Sequence, residues 1–324
     1  MNDVAHEAGV ALKTVSRYVN GATNIHPDLA ERIGAAIARL GYRRNMAAAS
    51  IRPGRSSMVL GLIIGDLANP YYSQLTRAVE SFAHEQGYLL VTASSEEDGD
   101  RHDRLVDRMI EQRVDGLMIV PPRDPGRPWV SLAEPLPELV FLDRPVPGFA
   151  ADTVLADNRG GARSAVAALL ADGATRVAFV GDSLGIYTMR ERYDGYKAAL
   201  RSARIRLDPT LVLDGAHDDE QAAQSVRVLV QEAGADAVFA ANNRSAVGAL
   251  AAFRRMRRRV RLVGFDDFEA AVIVRPEVSV VQQDIDTMGR AAADMLIEKI
   301  GGTRSEPRTL VLPTRLVLRG SERA

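Results

Sequence analysis

Two short segments with helical apolar spacing meet at Gly9, and that junction leaves the amino-terminal part of this chain very few folds. Val4, Ala5 and Ala8 put small apolar side chains on one face, and Val10 and Val15 can pack back on them once the chain turns at the glycine. Leu12, Lys13, Thr14, Ser16 and Arg17 include the outward positions of the second segment. This is the pattern of a helix-turn-helix, whose second helix has the dimensions to enter a major groove. A third helix follows, since Pro27 suits a first helical position and Leu29, Ile33, Ala36, Ile37 and Leu40 recur at spacings of three and four before Gly41.

Charge is distributed to match. Residues 1–58 carry eight basic and four acidic side chains, so they hold +4 while the remainder holds −5 of the net −1. The excess sits where phosphates would be contacted and counterions released.

From Val59 onward, apolar runs alternate with amphipathic helical stretches. The runs are 59–64, 89–93, 116–120, 139–142, 177–180, 211–213, 237–240, 261–265 and a final one at 310–318. Alternation of this kind predicts parallel sheets covered by helices, an α/β core long enough for two doubly wound lobes. Residues 43–57 are basic and poor in large apolar groups and end in Pro53-Gly54 and Ser56-Ser57, which places a domain boundary at Met58. Asn45 to Ile51 can form a short helix, but one too short to persist alone in water.

Composition removes several classes of function. With 46% hydrophobic and 26% charged residues the chain is an ordinary globular one. It has no cysteine, and its five histidines are scattered, so neither a metal centre nor a disulfide is expected. No cofactor-binding fingerprint is present, because both G-x-G-x-x-G and G-x-x-x-x-G-K-[ST] are missing. No stretch approaches the ~18–20 apolar residues that span a bilayer, and no signal segment precedes the first helix. A cytoplasmic protein without a membrane partner is expected.

In open α/β sheets ligands bind beyond the carboxyl ends of the strands, so the polar residues that follow the apolar runs are candidates. They are Asp66, Asp143, Asp182, Asn242 with Asn243, and Asp266. Each residue type is also a favoured helix N-cap, but several converging on one cleft would bridge the hydroxyl groups of a sugar or polyol.

The headpiece resembles that of the LacI/GalR family of bacterial transcription regulators, whose pattern is matched by Asp3-Val4-Ala5, Ala8-Gly9-Val10, Thr14-Val15-Ser16-Arg17 and Asn20. The likeness continues through Leu40-Gly41-Tyr42-Arg43, the hinge-like Asn45, Ala48 and Ile51, and nearly the whole core. It implies an all-α helix-turn-helix headpiece plus an α/β core of two doubly wound parallel-sheet lobes of periplasmic-binding-protein type. The headpiece and hinge would span 1–57 and the core 58–324. One lobe would take 58–156 with 286–313, the other 157–285 with 314–324.

On the same resemblance Arg17 reads a base edge, while Leu12 and Lys13 vary with operator sequence. Thr14, Ser16 and Asn20 position the DNA backbone, and Asn45, Ala48 and Ile51 form the hinge, with Ile51 wedged into the minor groove. The effector pocket would draw on Asp66, Asn69, Tyr71 and Tyr72, on Arg192 from Arg192-Tyr193-Asp194-Gly195-Tyr196, and on Asp266, joined by Asp143 and Asn242. Arg192 is the one clear arginine, its planar fork suited to two ring hydroxyls. His217 departs from the family's stacking aromatic, and Ala11 from the serine that caps the second helix.

The implied function is that of a repressor controlled by a hydroxyl-rich effector, whether sugar, polyol or sugar acid. It would act as a homodimer on operator DNA, without C-terminal heptads to pair dimers. A transporter's solute-binding protein would share the core but would have a signal peptide and no headpiece. Gly181-Asp182-Ser183-Leu184-Gly185 matches the elbow of serine hydrolases, yet His217 and Asp214 lie too close in sequence to complete that site. The arginines between Arg254 and Arg261 are expected to form a solvated helix end.

Overall fold

The computed structural model describes residues 1–42, 56–132, 135–304 and 306–323. The chain divides into two compact units, Met1–Ser57 and Met58–Ala324. The proposed hinge residues Asn45, Ala48 and Ile51 lie outside the described residues.

Among the described residues the first unit holds three helices: α1 (Asn2–Ala8), α2 (Leu12–Val19) and α3 (Pro27–Leu40). Val4, Ala5, Ala8, Val15, Ile33 and Ala36 form its core, with Val10, Tyr18, Val19, Ile37 and Tyr42 packed around them. Gly9 ends α1 at φ +59°, and a Cβ there would meet Nη2 of Arg32 at 2.7 Å. That guanidinium donates to the carbonyls of Ala8 at 2.6 Å and Gly9 at 3.3 Å, satisfying the free end of the helix. As the sequence implies, Ala11 supplies no side-chain cap to α2.

The second unit holds two six-stranded sheets of equivalent order. In the first, β1 (Val59–Ile64), β2 (Leu89–Ser94), β3 (Gly116–Ile119), β4 (Glu138–Leu142), β5 (Asp152–Ala156) and β11 (Thr309–Leu312) run in the order β11-β5-β4-β3-β1-β2. In the second, β6 (Val177–Val180), β7 (Val212–Leu213), β8 (Ala237–Ala240), β9 (Arg261–Phe265), β10 (Ser279–Gln283) and β12 (Thr314–Val317) run β12-β10-β9-β8-β6-β7. Helices α4 (Pro70–Glu85), α5 (Gly99–Glu111) and α10 (Ile285–Ile300) belong to the first lobe. Helices α6 (Asn158–Ala171), α7 (Tyr187–Ser202), α8 (Asp219–Gln231) and α9 (Asn243–Met256) belong to the second.

The chain crosses between lobes after β5, after β10 and at Pro313. The last crossing corrects the single returning strand expected at 310–318. Proline has no N–H for a ladder, and the run breaks there into β11, which pairs with β5, and β12, which pairs antiparallel with β10. β5 and β10 were also absent from the runs read in the sequence, because Asp152 and Thr153 open one and two glutamines close the other. The cores are nonetheless apolar: Leu60, Leu62, Val140 and Leu296 lie in the first lobe, and Phe179, Phe239, Phe265 and Val281 in the second.

Candidate functional site

Helix α2 is anchored by Val15, which is fully buried, while Leu12, Lys13 and Arg17 are exposed and Thr14 and Ser16 are half-buried. Positions 12, 16 and 20 and positions 13 and 17 share a face at helical spacing, so the anchor directs this row to solvent. Arg17 is not loose. Its Nη2 donates to Oδ1 of Asn24 at 2.5 Å, which presets the side chain from the loop after the helix. Asn20 donates to the carbonyl of Ser16 at 2.6 Å and closes the last turn.

In the core, the ends of β1, β2, β4, β6, β7, β8 and β9 converge on one cleft between the lobes, a cavity of about 80 Å³. Asp66, Asn69, Tyr71, Tyr72, Asp143, Arg192, His217, Asn242 and Asp266 all line it. The strand-end rule pointed to Asp66, Asp143, Asn242 and Asp266 in this set, and the family resemblance implied Asn69, Tyr71, Tyr72, Arg192 and His217.

Arg192 shows how the site is built. It is 3% exposed on α7, stacked at 3.8 Å over the Phe265 ring. Its Nε donates to Oδ1 of Asn158 at 2.8 Å, and its Nη1 to the carbonyl of Ala241 at 2.7 Å and to Asp266 at 3.2 Å. Three fixed partners leave Nη2 as the group to offer a ligand. Asp266 also accepts from Gln283 Nε2 at 2.5 Å.

Asp143 and Asp266 occupy equivalent places in the two lobes. Each follows the fourth strand from the β2 or β7 edge, at φ +65° and +68°, and donates its backbone N–H to the next strand at 2.9 Å. Left-handed backbone at non-glycine residues costs of order 1–3 kcal/mol and persists where surrounding structure fixes it. Glu96 and Glu97, at the end of β2, share this conformation.

Tyr71 donates its hydroxyl to Asp143 Oδ1 at 3.0 Å. Burial, reinforced by the charge of Asp143, pushes that hydroxyl well above its ordinary pKa and keeps it a donor. Burial likewise raises the Asp143 carboxyl, against the opposing charges of Arg144 and Arg192.

Several expectations change. Asp66 is not a free acceptor but is paired with Arg244 of α9, across the cleft. Beside it, Asn69 caps α4 through Tyr71 N and accepts from Asn243 Nδ2 at 2.8 Å, a second bond between lobes. Asn242 caps α9 through Ser245 N while lining the cleft. Arg192 is joined by two further arginines, Arg144 and Arg244.

Arg144 donates to both oxygens of Glu97, at 2.7 and 2.9 Å, and to the carbonyl of Pro121. Burial alone would raise Glu97, but the guanidinium overrides it and holds the carboxyl below its usual range. The sequence reading missed Arg144, Arg244, Glu96 and Glu97: it took Asp143 and the asparagines that directly follow their runs, whereas Arg144 and Arg244 come later, and it ended β2 before the two glutamates. Ser183 Oγ, in turn, accepts from Gly185 N, while His217 faces Asp182 at 2.9 Å. The exposed arginines 254 and 257–259 rim an apolar groove that includes Val247, Leu250 and Val274, where only a solvated helix end was expected.

A helix-turn-helix unit and a two-lobed α/β core with a polar interlobe cleft, carried on one chain, define the class of ligand-binding transcription regulators. Residues 1–45 match the lacI family of bacterial regulatory proteins, and residues 166–322 match the periplasmic binding protein-like domain. The chain is 34% identical to the HTH-type transcriptional regulator CelR of Thermobifida fusca, over 98% of this chain and 96% of that one. Its fold matches a CelR–cellobiose complex with a TM-score of 0.73 at 31% identity, covering 99% and 98% of the two chains. It also matches the lac repressor dimer bound to operator and the anti-inducer ONPF, with a TM-score of 0.87 at 26% identity over 99% and 98%. The protein belongs to the lacI family of bacterial regulatory proteins and is a DNA-binding transcription regulator.

Proposed function

We propose that this regulator is a repressor that binds operator DNA as a homodimer and is controlled by a hydroxyl-rich effector, a sugar or polyol, held in the interlobe cleft. The observation that carries the effector class is the convergence of Asp66, Asp143, Asp266, Asn69 and Asn242 with the braced Arg192 in one cavity. Carboxylates and carboxamides accept from hydroxyls, while Arg192 Nη2 and the amides donate to them. The relative solved as a complex with cellobiose supports the same class.

Leu12, Lys13 and Arg17 are the base-reading set, and Thr14, Ser16 and Asn20 contact phosphates, with Asn45, Ala48 and Ile51 as the hinge. The headpiece and hinge occupy 1–57 and the core 58–324, its lobes exchanging strands as the sequence reading divides them. A second copy covers the exposed apolar residues Leu89 and Val91 on edge strand β2 and Val272 and Ile273 beside the groove. The protein acts in the cytoplasm and not as an enzyme. The likeness along nearly its whole length to DNA-binding transcription regulators supports this reading.

A mobility-shift titration with the DNA upstream of the protein's own gene, at rising salt and with or without sugars and polyols, tests the reading. Sequence-selective retardation relieved by one such ligand is expected. Retardation indifferent to every hydroxylated ligand would remove the effector class.

A further inference from the structure

The cleft holds six carboxylates, on Asp66, Glu96, Glu97, Asp143, Asp182 and Asp266, against the guanidiniums of Arg144, Arg192 and Arg244. Each arginine is already matched by one acid: Arg144 with Glu97, Arg192 with Asp266, and Arg244 with Asp66. Asp143, Asp182 and Glu96 remain. Asp143 accepts a hydroxyl from Tyr71 and lies 3.5 Å from Nε of the already paired Arg144. Glu96 accepts from Ser94 Oγ at 2.6 Å. A hydroxyl supplies a dipole and no counter-charge, while burial, which raises the Asp143 carboxyl, reduces the share of the surplus that Asp143 carries. Asp182 faces His217, and even a charged imidazole there would leave two acids in surplus. Arg123, close by, is engaged by Asp124 at 2.6 Å.

A cavity with this formal balance favours cations over anions, chiefly through Asp143 and Asp182, since Glu96 is exposed and screened by solvent. An anionic sugar would meet in Arg192 a guanidinium whose charge Asp266 already balances. The described residues contain no group of three side chains that could hold a metal ion, so the surplus suits an organic cation.

We propose that the effector is a hydroxylated amine, a sugar or polyol bearing an ammonium group, and that the cleft discriminates against uronates and sugar phosphates. This rests on the hydroxyl-rich effector reading above and adds the ionic state.

The test is titration calorimetry of the full chain with matched neutral, amino and uronate forms of glucose, galactose and mannose. In at least one set the amine is expected to bind about tenfold more tightly than the neutral sugar and the uronate most weakly, the gap narrowing as salt rises. Asp182→Asn and Asp143→Asn should each bring the amine closer to the neutral sugar. Asp182→Asn serves as the second variant because Asp143 also holds Tyr71. If neutral sugars bind as well as their amines in every set, or a uronate binds best, the charge inference fails while the hydroxyl-rich reading survives. If no member of any set binds, both fall.

Discussion

Arg17 and Arg144 show how two arginines of one chain come to opposite uses. Arg17 is exposed and, among the described residues, held by Asn24, so its fork can exchange that partner for a guanine edge. Arg17→Ala should cost about 1–3 kcal/mol at one operator position and relax discrimination there more than it weakens general binding, as a binding-site selection would report. Arg144 is buried against Glu97, and Arg144→Leu should destabilise the core by about 3–5 kcal/mol in urea melts at neutral pH, since Glu97 is left buried without its counter-charge. The pH dependence has a definite sign. Because the folded pKa of Glu97 lies below its ordinary value, the ion pair contributes fully above that ordinary value and its contribution is lost as pH falls through the lowered one. The difference between wild type and variant should therefore shrink towards acid.

At the scale of elements, helix pairs are set by glycines at their crossings. In α9, a Cβ on Gly248 would stand 2.5 Å from the carbonyl oxygen of Asp219 in α8, and in α7 one on Gly195 would stand 2.3 Å from that of Arg159 in α6. Backbone cannot move aside as a side chain can. Gly248→Ala should cost about 1–3 kcal/mol, read as a lower thermal midpoint of the core. Most elements were legible because apolar periodicity is local. β5 and β10 were not, for their polar ends are satisfied by tertiary partners: Asp152 accepts from the backbone N–H of Arg308 at 2.6 Å, and Gln283 donates to Asp266. The break at Pro313 was visible as a residue, but its consequence, a change of lobe, needed the pairing partners on either side.

For the whole molecule, effector response depends on one cleft shared by two lobes. Arg192→Ala should abolish the effector's influence on operator binding while the effector-free protein still binds DNA, a separation that mobility shifts with and without ligand would report. Operator half-sites require two headpieces, so the protein should sediment as a dimer. Ile273→Asp places a charge on a residue that is 74% exposed in the single chain, and it should shift sedimentation towards the monomer. A monomer that retains full operator affinity would exclude that surface.

The sequence by itself determined the helix-turn-helix and the α/β character of the core through spacing along its helices and strands, and, through its resemblance to the LacI/GalR family together with the strand-end rule, the two-lobed plan and nine of the residues that line the cleft. Only the tertiary structure decided how those residues are partnered. Asp66 with Arg244 and Asn69 with Asn243 join positions more than 170 residues apart, and Glu97 meets Arg144 across 47. Periodicity along the chain reports which way a side chain points, but a charge is neutralised by whatever packs opposite it. The ionic balance of the cleft is therefore a property of the folded lobes, set where the two sheets bring their strand ends together.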